Sequence, residues 1–171
     1  MTAQGGRFRI APLDPNLDRS GFDCGSLPLD EYFRKQVGQD IRRRVTACFV
    51  ALADDGRIAG YYTLASAGVL LGDLPPVLAR KLPRYPSVPA VRMGRLAIDR
   101  GFAGGGLGAA LLADALDRAC RSEIAAYALT VDAKNEEAAA FYRHHGFMAF
   151  ASAPLTLFLP LGTVRAAMAG R

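Results

Sequence analysis

The sequence predicts an α/β or α+β domain built around a mixed sheet. Segments rich in β-formers alternate with segments of helical spacing, in the order β, α, β, β, an irregular stretch, β, α, β, α, β, β. At the centre, Val88 to Leu116 reads as an apolar strand ending at Asp99, a cluster of Gly104, Gly105, Gly106 and Gly108, and then a helix. That helix places Gly108, Leu111, Leu112, Ala115, Leu116 and Ala119 at steps of three and four. With 171 residues, 51% apolar and 22% charged, the chain has room for one domain with a sizeable core. No repeat or internal boundary is visible, so 1–171 is expected to form a single domain.

In chain order, Phe8 to Leu13 is the first strand, halted by Pro12 and Pro15. Ser26 is the expected N-cap of a helix with Pro28, Asp30 and Glu31 in its first turn, running through Tyr32, Phe33, Val37 and Ile41 to Arg42, Arg43 and Arg44. Val45 to Ala53 and Ile58 to Ala67 form a hairpin across the turn Asp54-Asp55-Gly56-Arg57. Gly68 to Pro86 is the least regular part, with a short helix opening at Pro75-Pro76 and ending near Lys81. Pro83, Pro86 and Pro89 hold an extended linker. After the central unit, Ile124 to Val131 is a strand. Asn135 caps a helix with Glu136 and Glu137 in its first turn, ending at His144 with Gly146 as its C′ residue. Phe147 to Phe150 and Leu155 to Leu161 close the sheet, and the tail from Gly162 is left unassigned.

A strand that feeds a glycine turn and a helix start can cradle phosphate, because backbone N–H groups and the positive end of the dipole converge there. A flexible turn that merely lets the helix pack close to the sheet would look the same. The lysine of a P-loop is absent. A dinucleotide fold would place its glycines near the chain start, with an acid about 20 residues later; here the cluster is late and a new strand, Ala126 to Val131, occupies that position. No apolar run reaches the roughly 20 residues that cross a bilayer, and MTAQGGRFRI has no apolar signal core, so no export and no membrane partner are expected. Cys24, Cys48 and Cys120 show no C-x-x-C spacing and, with only His144 and His145 besides, no zinc site is expected. Reduced thiols in a cytoplasmic protein are the expectation. The net charge is +5, with 18 Arg to 3 Lys. GC-rich coding would give such an excess. A polyanionic partner would also explain the clusters Arg42–Arg43–Arg44 and Arg80, Lys81, Arg84, with Arg92 and Arg95 in the central strand.

RLAID (Arg95 to Asp99), GGGLG (Gly104 to Gly108) and NEEAAAFYRHHGF (Asn135 to Phe147) resemble the GNAT acetyltransferases, and the order of elements agrees over nearly the whole chain. The resemblance implies the GNAT fold, with a largely antiparallel central sheet of six to seven strands flanked by helices. It implies acetyl-CoA as the cofactor, its pantetheine arm on the backbone of Leu96, Ala97 and Ile98. The pyrophosphate then lies on Ala103, Gly104, Gly105, Gly106, Leu107, Gly108 and Ala109. The family pattern has a polar residue where Ala103 stands, so one side-chain contact is missing while the backbone cradle is kept. Phe22 to Gln36, Ile58 to Leu64, Leu82 to Asp99 and Ala140 to Phe147 resemble more closely the GNAT toxins of toxin–antitoxin pairs. Those acetylate the α-amino group of aminoacyl-tRNA and pair with a small ribbon-helix-helix antitoxin; a homodimer is a further possibility.

The resemblance places the catalytic tyrosine at Tyr142, as the proton donor to the leaving thiolate. A phenol of pKa about 10 suits a thiolate of about 8.5; packing alone would also account for Phe141 and Tyr142. Backbone N–H groups near Ile98 are the expected oxyanion donors. No general base stands out, because Glu136 and Glu137 are first-turn acids. An α-amine of pKa about 7.7–8.0 needs less help than a lysine at about 10.4. Asn135 is first a cap, and in the family also a contact to the cofactor arm. His144 and His145 suit a helix C-terminus. Tyr61 and Tyr62 alternate faces, so one is a candidate for the acceptor pocket. The tRNA candidates are Arg42, Arg43, Arg44, Arg80, Lys81, Arg84, Arg92 and Arg95; the last two lie on opposite faces if the strand is regular. Acetylation of a small amine or a protein N-terminus, and a non-catalytic acyl-CoA-binding module, are the competing readings.

Overall fold

The computed structural model describes residues 2–3 and 6–170, with side chains from residue 7 onward. Among the described residues there are eight strands and six α-helices. The strands are β1 Thr2–Ala3, β2 Gly6–Pro12, β3 Ala47–Ala53, β4 Ile58–Leu70, β5 Ser87–Ile98, β6 Ala128–Asp132, β7 Met148–Phe150 and β8 Ala153–Pro160. The helices are α1 Leu27–Glu31, α2 Val37–Arg42, α3 Pro76–Ala79, α4 Leu107–Arg121, α5 Glu136–His144 and α6 Leu161–Ala169. Apart from the two-residue β1, seven strands make a mixed sheet. The ladders β2–β3, β3–β4, β6–β8 and β7–β8 are antiparallel, and β5–β6 is parallel.

The chain divides into two compact units, with β4 and β5 each contributing to both. The first comprises Met1–Ala65 and Gly94–Ala115. Its core is aromatic: Phe33 stacks on Tyr61 at 4.2 Å, and Phe22 meets both rings edge-on at 4.8 and 5.5 Å. Such pairs add about 0.5–1.5 kcal/mol each beyond the area they bury. Leu13, Val37, Val50 and Ala97 complete this core. Gly60 on β4 lets the neighbouring chain come close. A Cβ there would sit 2.9 Å from the Ala97 carbonyl oxygen, 2.9 Å from Ile98 Cδ1 and 3.0 Å from Leu111 Cδ1. The second unit comprises Ser66–Met93 and Leu116–Arg171, with a core of Val69, Leu74, Val88, Ala90, Ala128, Phe150 and Phe158.

The first helix is broken into α1, a π-helical turn Tyr32–Gln36 and α2. Ser26 has the extended backbone of an N-cap but makes no side-chain capping bond. Instead, the buried Asp30 carboxylate accepts from Cys24 N–H at 2.8 Å, and the Asp30 N–H donates to Ser26 O. β6 starts at Ala128 rather than Ile124, which is 82% exposed; the chain enters the sheet only where Ala128 pairs with Ala90 and Pro160. β4 continues to Leu70, and β5 starts at Ser87, with Pro89 inside it. The irregular segment holds a 3₁₀ turn, Leu71–Asp73, and α3. The unassigned tail is α6, whose short LGTVRAAMA pattern carries only a weak apolar face.

Both ends of α5 carry their expected caps. The Asn135 side chain accepts from Ala138 N–H at 2.9 Å. At the other end Gly146 has φ +93°, Gly146 N–H donates to Arg143 O, and Phe147 N–H donates to Tyr142 O at 3.1 Å. This is the double bond pattern of a Schellman motif. α2 ends the same way, with Arg44 N–H to Ile41 O and Val45 N–H to Asp40 O. There the left-handed position, φ 59°, is filled by Arg44 instead of glycine.

Candidate active site

In the first unit, the glycine turn is fixed by Asp99. Its carboxylate accepts from Gly101 N–H at 2.9 Å and from Asp23 N–H at 3.0 Å, and its own N–H donates to Ala59 O. A 3₁₀ turn, Arg100–Phe102, follows. Sequence reasoning passed over Asp99, although an Asp two residues before a glycine is the signature of an Asx turn. Gly104 and Gly106 then adopt φ +82° and +81°. No heavy atom lies within 4 Å of a Cβ built on either, so a side chain here would be disfavoured by torsion alone and the surroundings stay open. Alternation into the left-handed region turns successive N–H groups toward a common point, a nest for an anion. The first helical bond of α4 is Ala110 N–H to Gly106 O. The N–H groups of Leu107, Gly108 and Ala109 ahead of it are the orphan donors of the helix start. No acidic residue stands in the first turn of α4 to compete for them. A diphosphate fits this cradle. Ala103 adds no polar side chain, and Arg100 does not replace one, since its guanidinium pairs with Asp23 at 3.2 Å.

Leu96, Ala97 and Ile98 lead into that turn. β5 has 12 residues and β6 has 5, and their ladder occupies Ala90–Met93. A strand that short, in that register, cannot reach Leu96–Ile98. On this stretch of β5 the backbone keeps hydrogen-bonding capacity for amides such as those of a pantetheine arm. A cavity of about 400 Å³ also opens beside the turn, with Phe22, Ile58, Asp99 and Phe102 in its wall. Its cations are committed: Arg57 pairs with Asp55 at 2.7 Å and lies over Phe102, and Arg19 donates to the Phe33 and Pro15 carbonyls.

In the second unit, Tyr142 sits on α5 with only 5% of its surface exposed. Its ring meets Phe141 at 5.3 Å and Phe147 at 5.7 Å, and its carbonyl accepts from both His145 and Phe147 N–H. The Schellman turn and Phe147 thus fix this residue from two sides. Among the described residues the hydroxyl takes no hydrogen-bond partner, yet no fully buried polar side-chain atom lacks one, so the hydroxyl reaches solvent. Burial, and then the Asp132 carboxylate, push the phenol well above its ordinary range. It therefore stays protonated, and the same upward shift makes it a weaker acid toward a thiolate than a free phenol. Asn135 uses its carbonyl oxygen as the helix cap. His145 Nδ1 lies 2.9 Å from Phe141 O, and Glu136 pairs with Arg143.

The arginine candidates sort into several environments. Arg42, Arg43 and Arg44 are exposed at the end of α2, and Arg80, Lys81 and Arg84 are exposed around and after α3. Arg92 pairs with Asp132 at 2.8 Å. The Arg95 guanidinium carbon lies over the Tyr32 ring, 3.4 Å from its centroid, while Tyr32 donates to Asp40 at 2.8 Å. The β5–β6 ladder runs through Arg92 and Met93 without a shift in register, and Arg92 is exposed while Arg95 is half-buried. Tyr61 and Tyr62 are both fully buried: Tyr61 donates to Leu29 O at 2.8 Å and Tyr62 to Asp114 at 2.5 Å. Neither is left to line a pocket.

A mixed sheet whose central strand outruns its parallel neighbour and ends in an anion-binding glycine turn defines an acyltransferase that draws on a coenzyme A thioester. Residues 17–147 match the acetyltransferase (GNAT) family, and the chain belongs to that family; it is an N-acetyltransferase. It is 38% identical over 160 residues to a tRNA-acetylating toxin of Mycobacterium tuberculosis, covering 92% of this chain and 93% of the relative. Among solved structures, AtaT complexed with acetyl-methionyl-tRNAfMet superposes with a TM-score of 0.87 at 28% identity, covering 95% of this chain and 99% of that one. A tyrosine-to-phenylalanine mutant of AtaT, bound to the C-terminus of the antitoxin AtaR and acetyl-CoA, superposes with a TM-score of 0.78 at 25% identity over 94% and 97%.

Proposed function

We propose that this chain transfers the acetyl group of acetyl-CoA to the α-amino group of an aminoacyl-tRNA and so acts as a translation-blocking toxin, held in check by a small ribbon-helix-helix antitoxin. The observation that carries the cofactor half is the cradle: Gly104 and Gly106 in left-handed torsions ahead of an acid-free helix start. Likeness to tRNA-acetylating toxins along almost the whole chain supports the acceptor half. Acetyl-CoA, when bound, supplies the acetyl thioester. Gly104 to Ala109 hold its pyrophosphate, the backbone of Leu96 to Ile98 orients its pantetheine arm, and Asn135 contacts that arm. N–H groups near Ile98 stabilise the carbonyl oxygen as the neutral amine attacks. Tyr142 gives its proton to the departing sulfur, and the new amide nitrogen releases one to solvent. Arg42, Arg43, Arg44, Arg80, Lys81 and Arg84 face the tRNA backbone. Arg92 and Arg95 keep a secondary role, because both already have partners. In this reading residues 1–171 work as one cytoplasmic domain, alone or as a homodimer.

The test is transfer of labelled acetyl from acetyl-CoA to charged tRNA by the purified chain. The expected result is label that precipitates with RNA and is released with the amino acid on ester hydrolysis, with Tyr142→Phe slowing transfer by roughly 10²–10⁴-fold. Label on polyamines or peptides and none on tRNA would replace the toxin reading with an ordinary acetyltransferase. Undiminished transfer by Tyr142→Phe would remove the assigned acid.

A further inference from the structure

The segment between β4 and β5 has an inward and an outward side. Leu74 is buried, and Leu71, Leu78, Ala79 and Leu82 pack against the second unit's core. Leu71 N–H donates to Pro86 O at 3.2 Å, tying the two ends of the segment together. The outward side carries Val77 on α3, then Arg80, Lys81, Arg84 and Tyr85. Tyr85 is 64% exposed, within an exposed run from Pro83 to Ser87 that lies between the inward-packed Leu82 and Val88. Pro83 and Pro86 flank it, and Tyr85 N–H closes on Pro83 O at 2.9 Å. The ring is thus held out on a chain with little backbone freedom to lose.

The charges around it belong, with Arg42 and Arg44, to the exposed cations that have no acidic partner among the described residues. Arg57, Arg92, Arg100, Arg121 and Arg143 are exposed and each pairs with a carboxylate. Arg80, Lys81 and Arg84 form no ion pair among the described residues, and no acid interrupts the run Arg80-Lys81-Leu82-Pro83-Arg84. A protein-docking face has its apolar groups at the centre and its charges at the rim. Here one exposed aromatic ring stands directly beside unpaired cations, which is how unpaired nucleotides are held: cations on phosphates, a ring against a base.

We propose that Leu78 to Tyr85 is an RNA-binding platform, in which Tyr85 stacks on an unpaired base of the tRNA while Arg80, Lys81 and Arg84 hold the adjoining phosphates. This deepens the functional reading above and rests on it. Within it, this segment takes a single-stranded part of the substrate, the 3′ end, rather than the duplex.

The experiment measures binding of deacylated tRNA, intact or trimmed of its unpaired 3′ nucleotides, to the full chain. Tyr85→Ala is expected to weaken intact tRNA by about 5- to 100-fold, the loss of one stacked base. Tyr85→Phe should stay within about twofold of the unchanged protein, since a phenyl ring stacks as a phenol does. On trimmed tRNA, Tyr85→Ala and the unchanged chain should bind alike. Arg84→Ala should lower the slope of log affinity against log salt by about 1. Thermal melting confirms that each variant is folded. Unchanged affinity of a folded Tyr85→Ala, or equal losses on intact and trimmed tRNA, would overturn the proposal. Unchanged binding by the cation variants as well would assign the surface to a protein partner instead. If the unchanged chain acetylates aminoacyl-tRNA and Tyr85→Ala keeps full affinity, only the platform falls. If the unchanged chain neither binds tRNA nor acetylates it, the functional reading falls and takes the platform with it.

Discussion

Gly60→Ala tests whether the cofactor strand is held in place by a close backbone approach. The new methyl would stand 2.9 Å from the Ala97 carbonyl oxygen, 2.9 Å from Ile98 Cδ1 and 3.0 Å from Leu111 Cδ1. Ile98 Cδ1 and Leu111 Cδ1 are ends of flexible side chains and can swing aside. The Ala97 oxygen is backbone, so the strand itself has to retreat by a few tenths of an ångström. Overpacking of this kind costs about 1–3 kcal/mol. Replacing glycine by alanine inside a strand returns about 0.5–1 kcal/mol. The net loss is at most about 2.5 kcal/mol and centres on about 1 kcal/mol, a drop in Tm of roughly 2–4 °C for a chain of this size. Because Ala97 lies between Leu96 and Ile98, acetyl-CoA affinity should weaken several-fold as well. Gly104→Ala is the comparison: its cost is torsional, about 1–2 kcal/mol, with nothing within 4 Å to displace. Melting curves with and without acetyl-CoA, together with calorimetric titration, separate the two cases. A Gly60→Ala protein that melts and binds acetyl-CoA like the unchanged chain would refute the argument.

Gly146→Ala should cost about 1–2 kcal/mol through its positive φ alone, since its methyl would meet only Leu159 Cδ1 at an ordinary 3.9 Å; kcat should fall with it, because the same turn fixes Tyr142, and an unchanged Tm would count against this. Arg44→Gly should raise stability by about 1 kcal/mol by relieving the left-handed position at the end of α2, readable as a Tm increase of about 2–4 °C, while weakening tRNA binding if Arg44 contacts phosphate. Cys48 is pushed up to about 12, mainly by burial, so the folded chain should resist a thiol reagent at pH 8 at this position and react once denatured. The Cys48 thiol and the Tyr32, Tyr61 and Tyr142 hydroxyls are all raised by burial, so the folded state holds protons that the unfolded chain releases. Their contribution to stability is complete below pH about 8.5 and is lost as pH rises through 10 and beyond; a denaturant midpoint that held steady from pH 8 to pH 11 would contradict it.

Local chemistry made much of the fold legible. Asn135 and Gly146 bracket α5 through rules that need nothing beyond neighbouring residues, and the glycine turn announced itself by composition. The features that escaped depend on distant partners. Gly60 is an isolated glycine in a strand, which signals a close approach but does not say to what. The Arg95 guanidinium found the Tyr32 ring across a sequence separation of 63 residues, a pairing no periodicity reveals. α6 was missed because Gly162 and Thr163 weaken its first turn, and Ile124 was read as strand because β-propensity ignores where pairing begins. At the site, the cradle could be anticipated by resemblance, but not that only Gly104 and Gly106 among its glycines adopt positive φ.

The shortness of β6 has a physical consequence for the ligand-free protein. A stretch of β5 that has β4 on one side and, among the described residues, no strand on the other behaves as an unfinished sheet margin, open to water and to stray extended peptides. A pantetheine arm laid along it would act as a surrogate strand, completing the ladder with its own amides. Binding would then seal the sheet as well as deliver the acetyl group. The amides of Leu96 and Ile98, which alternate away from the β4-facing Ala97 and Asp99, should exchange with deuterium quickly in the free chain and slowly in the liganded one. Acetyl-CoA at 100 times its Kd should stabilise the whole chain by about 2.7 kcal/mol.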